Sequence, residues 1–180
     1  MLNYLIKIID GGREEDKKLL EKFLEDLPSN GCISYIRSLV GKTWHYDRLF
    51  SNLEVVVNKW DSVEYEFLDK EVEEKKNNFF QNAVNFMEYT SSTIFIKDHN
   101  PNLCGIAEEW RENNPKEYTE ALEKIPEKGR IVGESYDDFV RFAKQKLNKP
   151  KLSWVIYTIL ILLLPLLGSL ITILIQEYFY

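Results

Sequence analysis

From Leu152 to Gln176 the chain runs for 25 residues without a charged side chain. At the rise of an α-helix this is roughly 37 Å, enough to cross about 30 Å of hydrocarbon with some tilt. A core helix of a small domain is seldom so long and apolar on every side. Trp154 and Tyr157 stand at one end and Tyr178, Phe179 and Tyr180 at the other, where amphipathic rings favour the headgroup layer. These features predict one transmembrane helix near the end of the chain, with the lipid bilayer as its first partner.

Charge gives the predicted direction. Arg141, Lys144, Lys146, Lys149 and Lys151 precede the uncharged stretch, while Glu177 follows it. Positive charge is retained on the cytoplasmic side, so the expectation is a single-pass protein of the cytoplasmic membrane with its N-terminal domain in the cytosol. Each lysine of the collar would gain about 1 kcal/mol beside anionic headgroups. The chain is expected to divide into a soluble helical domain over 1–148, a juxtamembrane hinge at 149–151, a transmembrane helix over 152–176 and a far-side tail at 177–180. Within the stretch, Pro165, Gly168, Ser169 and Thr172 bring together small and hydroxylated side chains. They form a candidate self-association face, hence a candidate homo-oligomer.

All 23 basic side chains and all but one of the 29 acidic ones precede Leu152, leaving that part acidic. This argues against general nucleic-acid binding, which rests on neutralising phosphates. Cys32 and Cys104 show no CxxC spacing and no His-rich neighbourhood, so two buried free thiols are expected rather than a disulfide framework or a zinc site. The first ten residues lack the basic start and the long apolar run of a signal peptide.

The clearest soluble pattern is Tyr46, Leu49, Phe50, Leu53, Val56, Val57 and Trp60, an amphipathic helix with one buried stripe. The series Tyr65, Leu68, Val72, Phe79, Ala83, Phe86 and Thr90 predicts a long helix over 62–93, with Lys75 and Lys76 interrupting its stripe at a kink or an exposed stretch. Leu20, Phe23, Leu24 and Leu27 mark a helix from about Glu14 that Pro28 stops. The segment from Cys32 to Val40 fits a helix or a strand, as do the first nine residues. Residues 96–105 are dense in turn formers and read as the longest loop. Leu103, Ile106, Ala107 and Trp110 suggest a short helix, and another is expected from Pro115 that ends at Pro126. A last one opens at Ser135, with Asp138 completing a capping box. The predicted fold class is therefore mostly α, a cytosolic helical bundle followed by one C-terminal transmembrane helix.

No Gly-rich phosphate loop, nucleophile elbow, H-E-x-x-H pair or Ca²⁺ loop is present. His45 and His99 are the only imidazoles and read as surface or capping residues. Glu66, Asp69, Lys70, Glu73 and Glu74 are expected to form a solvated face with i, i+4 pairs such as Glu66 with Lys70 and Glu71 with Lys75, rather than a cation site. Trp44, Trp60 and Trp110 are expected in the core or at an interface, an exposed one marking a binding surface. No catalytic residue, cofactor or metal ligand is assigned.

Leu27-Pro-Ser-Asn-Gly-Cys-Ile-Ser-Tyr-Ile-Arg37, Trp60 followed by Glu66-Phe-Leu-Asp-Lys-Glu71, and Ser135-Tyr-Asp-Asp-Phe-Val-Arg141 together resemble a pattern of uncharacterised bacterial helical proteins. The resemblance covers roughly residues 24–147. It implies a bacterial source and a modular domain, with no activity attached. The functional expectation is a membrane-anchored interaction or sensor domain that places a protein-binding module at the cytoplasmic face. The alternative is a membrane-perturbing effector, of defence or toxin type, that oligomerises through its transmembrane helix.

Overall fold

The computed structural model describes residues 2–149 together with Val155 and Pro165. Helix α1 (Leu2–Asp26) starts well before Glu14 and passes through Gly11 and Gly12 before Pro28 closes it. A π-turn (Ser29–Ile33) leads into the short α2 (Ser34–Arg37), so this ambiguous segment is helical. Strand β1 (Thr43–His45) precedes α3 (Tyr46–Lys59), and the predicted stripe is buried from Leu49 to Trp60 while Tyr46 at its start is exposed.

The long helix expected over 62–93 is shorter, α4 (Lys70–Thr93), with a 3₁₀ turn at Val63–Tyr65 ahead of it. Asp69 sets its start, because its carboxylate accepts from the Glu71 and Val72 amides. Lys76 is no kink. It is 2% exposed, its ammonium donating to the Tyr65 carbonyl at 2.9 Å and pairing with Glu73 at 2.8 Å. Lys75 reaches outward to Asp138 instead.

Helix α4 passes directly into β2 (Ile94–Lys97), which turns at Asp98 and His99 into β3 (Asn100–Ile106). The sheet is antiparallel in the order β1-β3-β2, with Trp44 opposite Cys104 and Phe95 opposite Gly105. The turn formers that suggested a loop make an irregularity in the hairpin: pairing jumps from Ile96–Cys104 to Lys97–Asn100, and the Asn102 amide donates to the Asn100 side chain.

After the short α5 (Trp110–Asn113), one helix, α6 (Pro115–Leu147), runs through both Pro126 and Ser135. A proline inside a helix costs about 3 kcal/mol. The buried face continues unbroken across it, from Ala121 and Ile125 to Val132, Tyr136 and Phe139, and that packing offsets the cost. Ser135 caps nothing; its hydroxyl donates back to the carbonyls of Ile131 and Val132.

The expected fold class, a mostly α helical bundle followed by one C-terminal transmembrane helix, is thus overturned. The domain combines helices with a three-stranded antiparallel sheet, and among the described residues no helix is long and apolar enough to cross a membrane. The longest helix among the described residues, α6, carries charged side chains along its whole length. Apart from Val155 and Pro165, residues 152–176 lie outside the described residues.

Phe23 joins the helices. Its ring lies 5.1 Å from Trp60, 6.1 Å from Phe79 and 5.0 Å from Phe139, each edge to face, so α1, the C-terminus of α3, α4 and α6 meet on one side chain. Such aromatic pairs add about 0.5–1.5 kcal/mol each beyond area burial. With the helices fixed in this way, the sheet stands at the far end of α4, beside the start of α3.

Candidate functional site

A groove of about 630 Å³ lies between α3, the C-terminal part of α4 and β2. Tyr46, Phe50, Glu54 and Asn58 line it from α3, four positions apart and so along one helical face. Met87, Glu88 and Ser91 line it from α4, and Ile94, Phe95 and Ile96 from β2. Along a strand, successive side chains point to opposite faces. Three consecutive residues of β2 nevertheless line this groove, as they do where a groove follows the edge of a strand. β2 is such an edge, paired only with β3 among the described residues.

This edge is apolar and exposed: Phe95 is 49% and Ile96 56% exposed, with Tyr46 at 40% beside them. Edge strands are normally blunted by charge or cover, because their unpaired backbone groups template further pairing. Here the charge comes late. Lys97, at the turn end, reaches the Ile106 carbonyl at 3.4 Å and Glu108 at 3.5 Å. The groove itself carries two exposed carboxylates, Glu54 and Glu88, and no cation among its lining residues. Neither carboxylate makes an ion pair among the described residues.

The sequence marks none of these residues as a binding residue, and Tyr46 and Phe50 enter it only as part of a buried stripe. The signal was present in the run Thr93-Ile-Phe-Ile, β-branched and aromatic directly before turn formers, which is a strand pattern.

Of the residues assigned to the membrane collar, Lys144, Lys146 and Lys149 lie at the opposite end of α4, near the C-terminus of α6. Lys144 is exposed, whereas Lys146 is held by Glu71 at 2.7 Å and Asp69 at 3.2 Å and so spends its charge within the domain. Lys149 is exposed, and its carbonyl accepts from Arg13. Arg13, Asp69, Lys146 and Lys149, with Gly12, Leu68 and Leu147, line a second recess of about 490 Å³. Asp16 closes its floor, accepting from the Leu68 and Asp69 amides at 2.8 and 2.9 Å. Burial pushes the Asp16 carboxyl up, and these two hydrogen bonds only partly oppose it. Pro165 is helical and exposed; Lys151, Trp154, Tyr157, Gly168, Ser169, Thr172, Tyr178 and Tyr180 lie outside the described residues.

The remaining candidates for chemistry are dispersed. His45 ends β1, where its backbone amide donates to the Tyr35 hydroxyl, and His99 occupies the hairpin turn. The acidic segment is divided among structural tasks: Asp69 caps α4, Glu73 accepts from the Phe67 amide, and Glu71 pairs with Lys146 rather than Lys75. Among the described residues no group of three His, Cys, Asp or Glu side chains is placed to hold a metal ion. Cys32 and Cys104 are free and buried as expected, and burial pushes both thiols up to about 11, so neither is a ready nucleophile. Trp44 and Trp60 are core residues, and the partly buried Trp110 packs edge to face against Phe95 at 6.0 Å.

Fold and groove together define an α+β domain with an apolar sheet edge set in a cleft. No family model, protein of curated function or solved structure matches this chain.

Proposed function

We propose that this chain is an interaction module that displays a protein-docking groove at the cytoplasmic face of a membrane. The observation that carries the reading is the exposed apolar edge of β2, with Phe95 and Ile96 set in a groove between two helices. An apolar surface of this kind, rimmed by polar groups, is costly to leave in water and is the usual signature of a binding site. Attachment to the bilayer is supported by the uncharged stretch 152–176 and by the lysines ahead of it.

The test is site-specific photocrosslinking with the full chain in its own membranes. A photoreactive residue replacing Ile96 or Glu54 is expected to give one discrete protein adduct, while the same residue at the exposed Glu127 of α6 gives none. Replacing 152–176 by an unrelated apolar segment of equal length should leave the adduct intact, since the stretch serves only to locate the domain. Adducts of equal yield at all three positions, or depolarisation of cells on expression, would contradict the reading; the latter would favour the effector.

A further inference from the structure

Resting on that reading, we propose that the occupant of the groove is an extended segment of a partner protein, with lysine or arginine among apolar residues, which adds to the sheet as a fourth strand along β2.

The first support is geometric. Ile94, Phe95 and Ile96 all line the same groove, so an occupant that runs along the strand edge comes within reach of its backbone. An extended peptide gains main-chain hydrogen bonds there, whatever its side chains, and obtains selectivity from alternate residues dropping into apolar pockets. Phe50 and Met87 supply such a floor, being buried and half-buried respectively. With four residues in β2, the added strand is short, about 13 Å at the rise of a β-strand. Lys97, engaged by Glu108 and the Ile106 carbonyl, ends the apolar edge at the turn and sets the limit of the register.

The second support is charge. Glu54 and Glu88 stand on the two helical walls, and the lining contains no cation to answer them. A cationic side chain on the incoming strand answers them. The same two carboxylates disfavour a second copy of this chain: pairing β2 with β2 would bring two sets of Glu54 and Glu88 to one seam, in a chain of net charge −6. Like charges opposed across an interface are costly and so exclude wrong partners.

The probe is a phage-displayed library of short random peptides, panned against the full chain in detergent and read by fluorescence anisotropy of the enriched sequences. The enriched peptides are expected to alternate apolar residues and to carry lysine or arginine. Methylating alternate backbone amides, which leaves every side chain in place, should weaken binding at least about tenfold, as loss of ladder hydrogen bonds requires. The exposed pair E54Q/E88Q, checked for an unchanged melting temperature, should weaken the lysine peptides by about tenfold and steepen nothing else. Enrichment of acidic or helically periodic peptides, indifference to amide methylation, or no enrichment at all would overturn the strand proposal. If Ile96 still crosslinks in membranes under any of those outcomes, the docking groove stands and only its mode of occupation is wrong. Dimerisation of the free chain that E54Q/E88Q strengthens would identify a second copy as the occupant and equally overturn the proposal.

Discussion

The Tyr136 hydroxyl donates to the Leu27 carbonyl at 2.7 Å, closing a contact between residues 109 positions apart. Leu27 follows the last turn of α1, where helix carbonyls lose their intrahelical partners. Tyr136 is 1% exposed, and burial pushes its hydroxyl up to about 12, so it remains a donor throughout the physiological range. Tyr136→Phe keeps the ring contacts with Phe23 and Phe79 but strands that carbonyl. A loss of about 1–3 kcal/mol in urea unfolding is expected. No measurable loss would mean that the carbonyl finds another donor.

Gly129 lets α6 pack against the backbone of α2. A Cβ there would meet the Ile36 carbonyl oxygen at 2.5 Å, a backbone atom that cannot swing aside. Gly129→Ala, which normally strengthens a helix by about 1 kcal/mol, should instead destabilise the domain by about 1–3 kcal/mol. Thermal melting distinguishes the two signs.

Lys76 is expected to tolerate Met better than Ala. Both substitutions remove the cation from Glu73, but Met refills the space between Phe67 and Phe80. Breaking a buried pair by deleting one partner costs about 3–5 kcal/mol, and Lys76→Ala should fall in that range when measured by chemical unfolding. Lys76→Met should recover a clear part of it; equal losses would show that packing of the stem contributes little.

Asp26 predicts a pH dependence. Partial burial raises its carboxyl, but hydrogen bonds from Lys59 at 2.6 Å and Trp60 at 3.0 Å, with the nearby ammoniums, outweigh burial and hold it below its ordinary 3.8. A carboxylate with a depressed folded-state value stabilises the native state above the unfolded value and loses that contribution as pH falls through the folded one. The stability gap between the native chain and Asp26→Asn should therefore be widest above 3.8 and shrink on acidification below it. Asp16, shifted the opposite way, acts equally in both proteins and drops out of the difference. A gap independent of pH would contradict the assignment.

The helices were legible where one apolar stripe met one core, as from Leu49 to Trp60. Legibility failed where local signals competed with tertiary packing. Pro126 and Ser135 carry strong local preferences for helix boundaries, yet a continuous buried face holds α6 straight through both. The sheet was missed because its strands are short and β3 begins Asn-Pro-Asn, turn chemistry that here builds an irregular hairpin. Lys76 looked like a break in the stripe because its partner, the Tyr65 carbonyl, is a backbone atom that no side-chain pattern reveals. The groove was hidden for a related reason: its walls come from three elements, and no local pattern brings α3, α4 and β2 together. The collar lysines were legible as a cluster, but Lys146 is committed to Asp69 and Glu71 by a packing of α6 on α4 that spacing does not report.

Amide hydrogen exchange on the full chain in lipid nanodiscs, with and without an enriched peptide, tests the docking edge most directly. The account predicts that protection rises at residues 94–97 and along the facing side of α3, with α5 and the 115–134 half of α6 unchanged. Protection confined to α6, or absent from β2 while the peptide is bound, would contradict it.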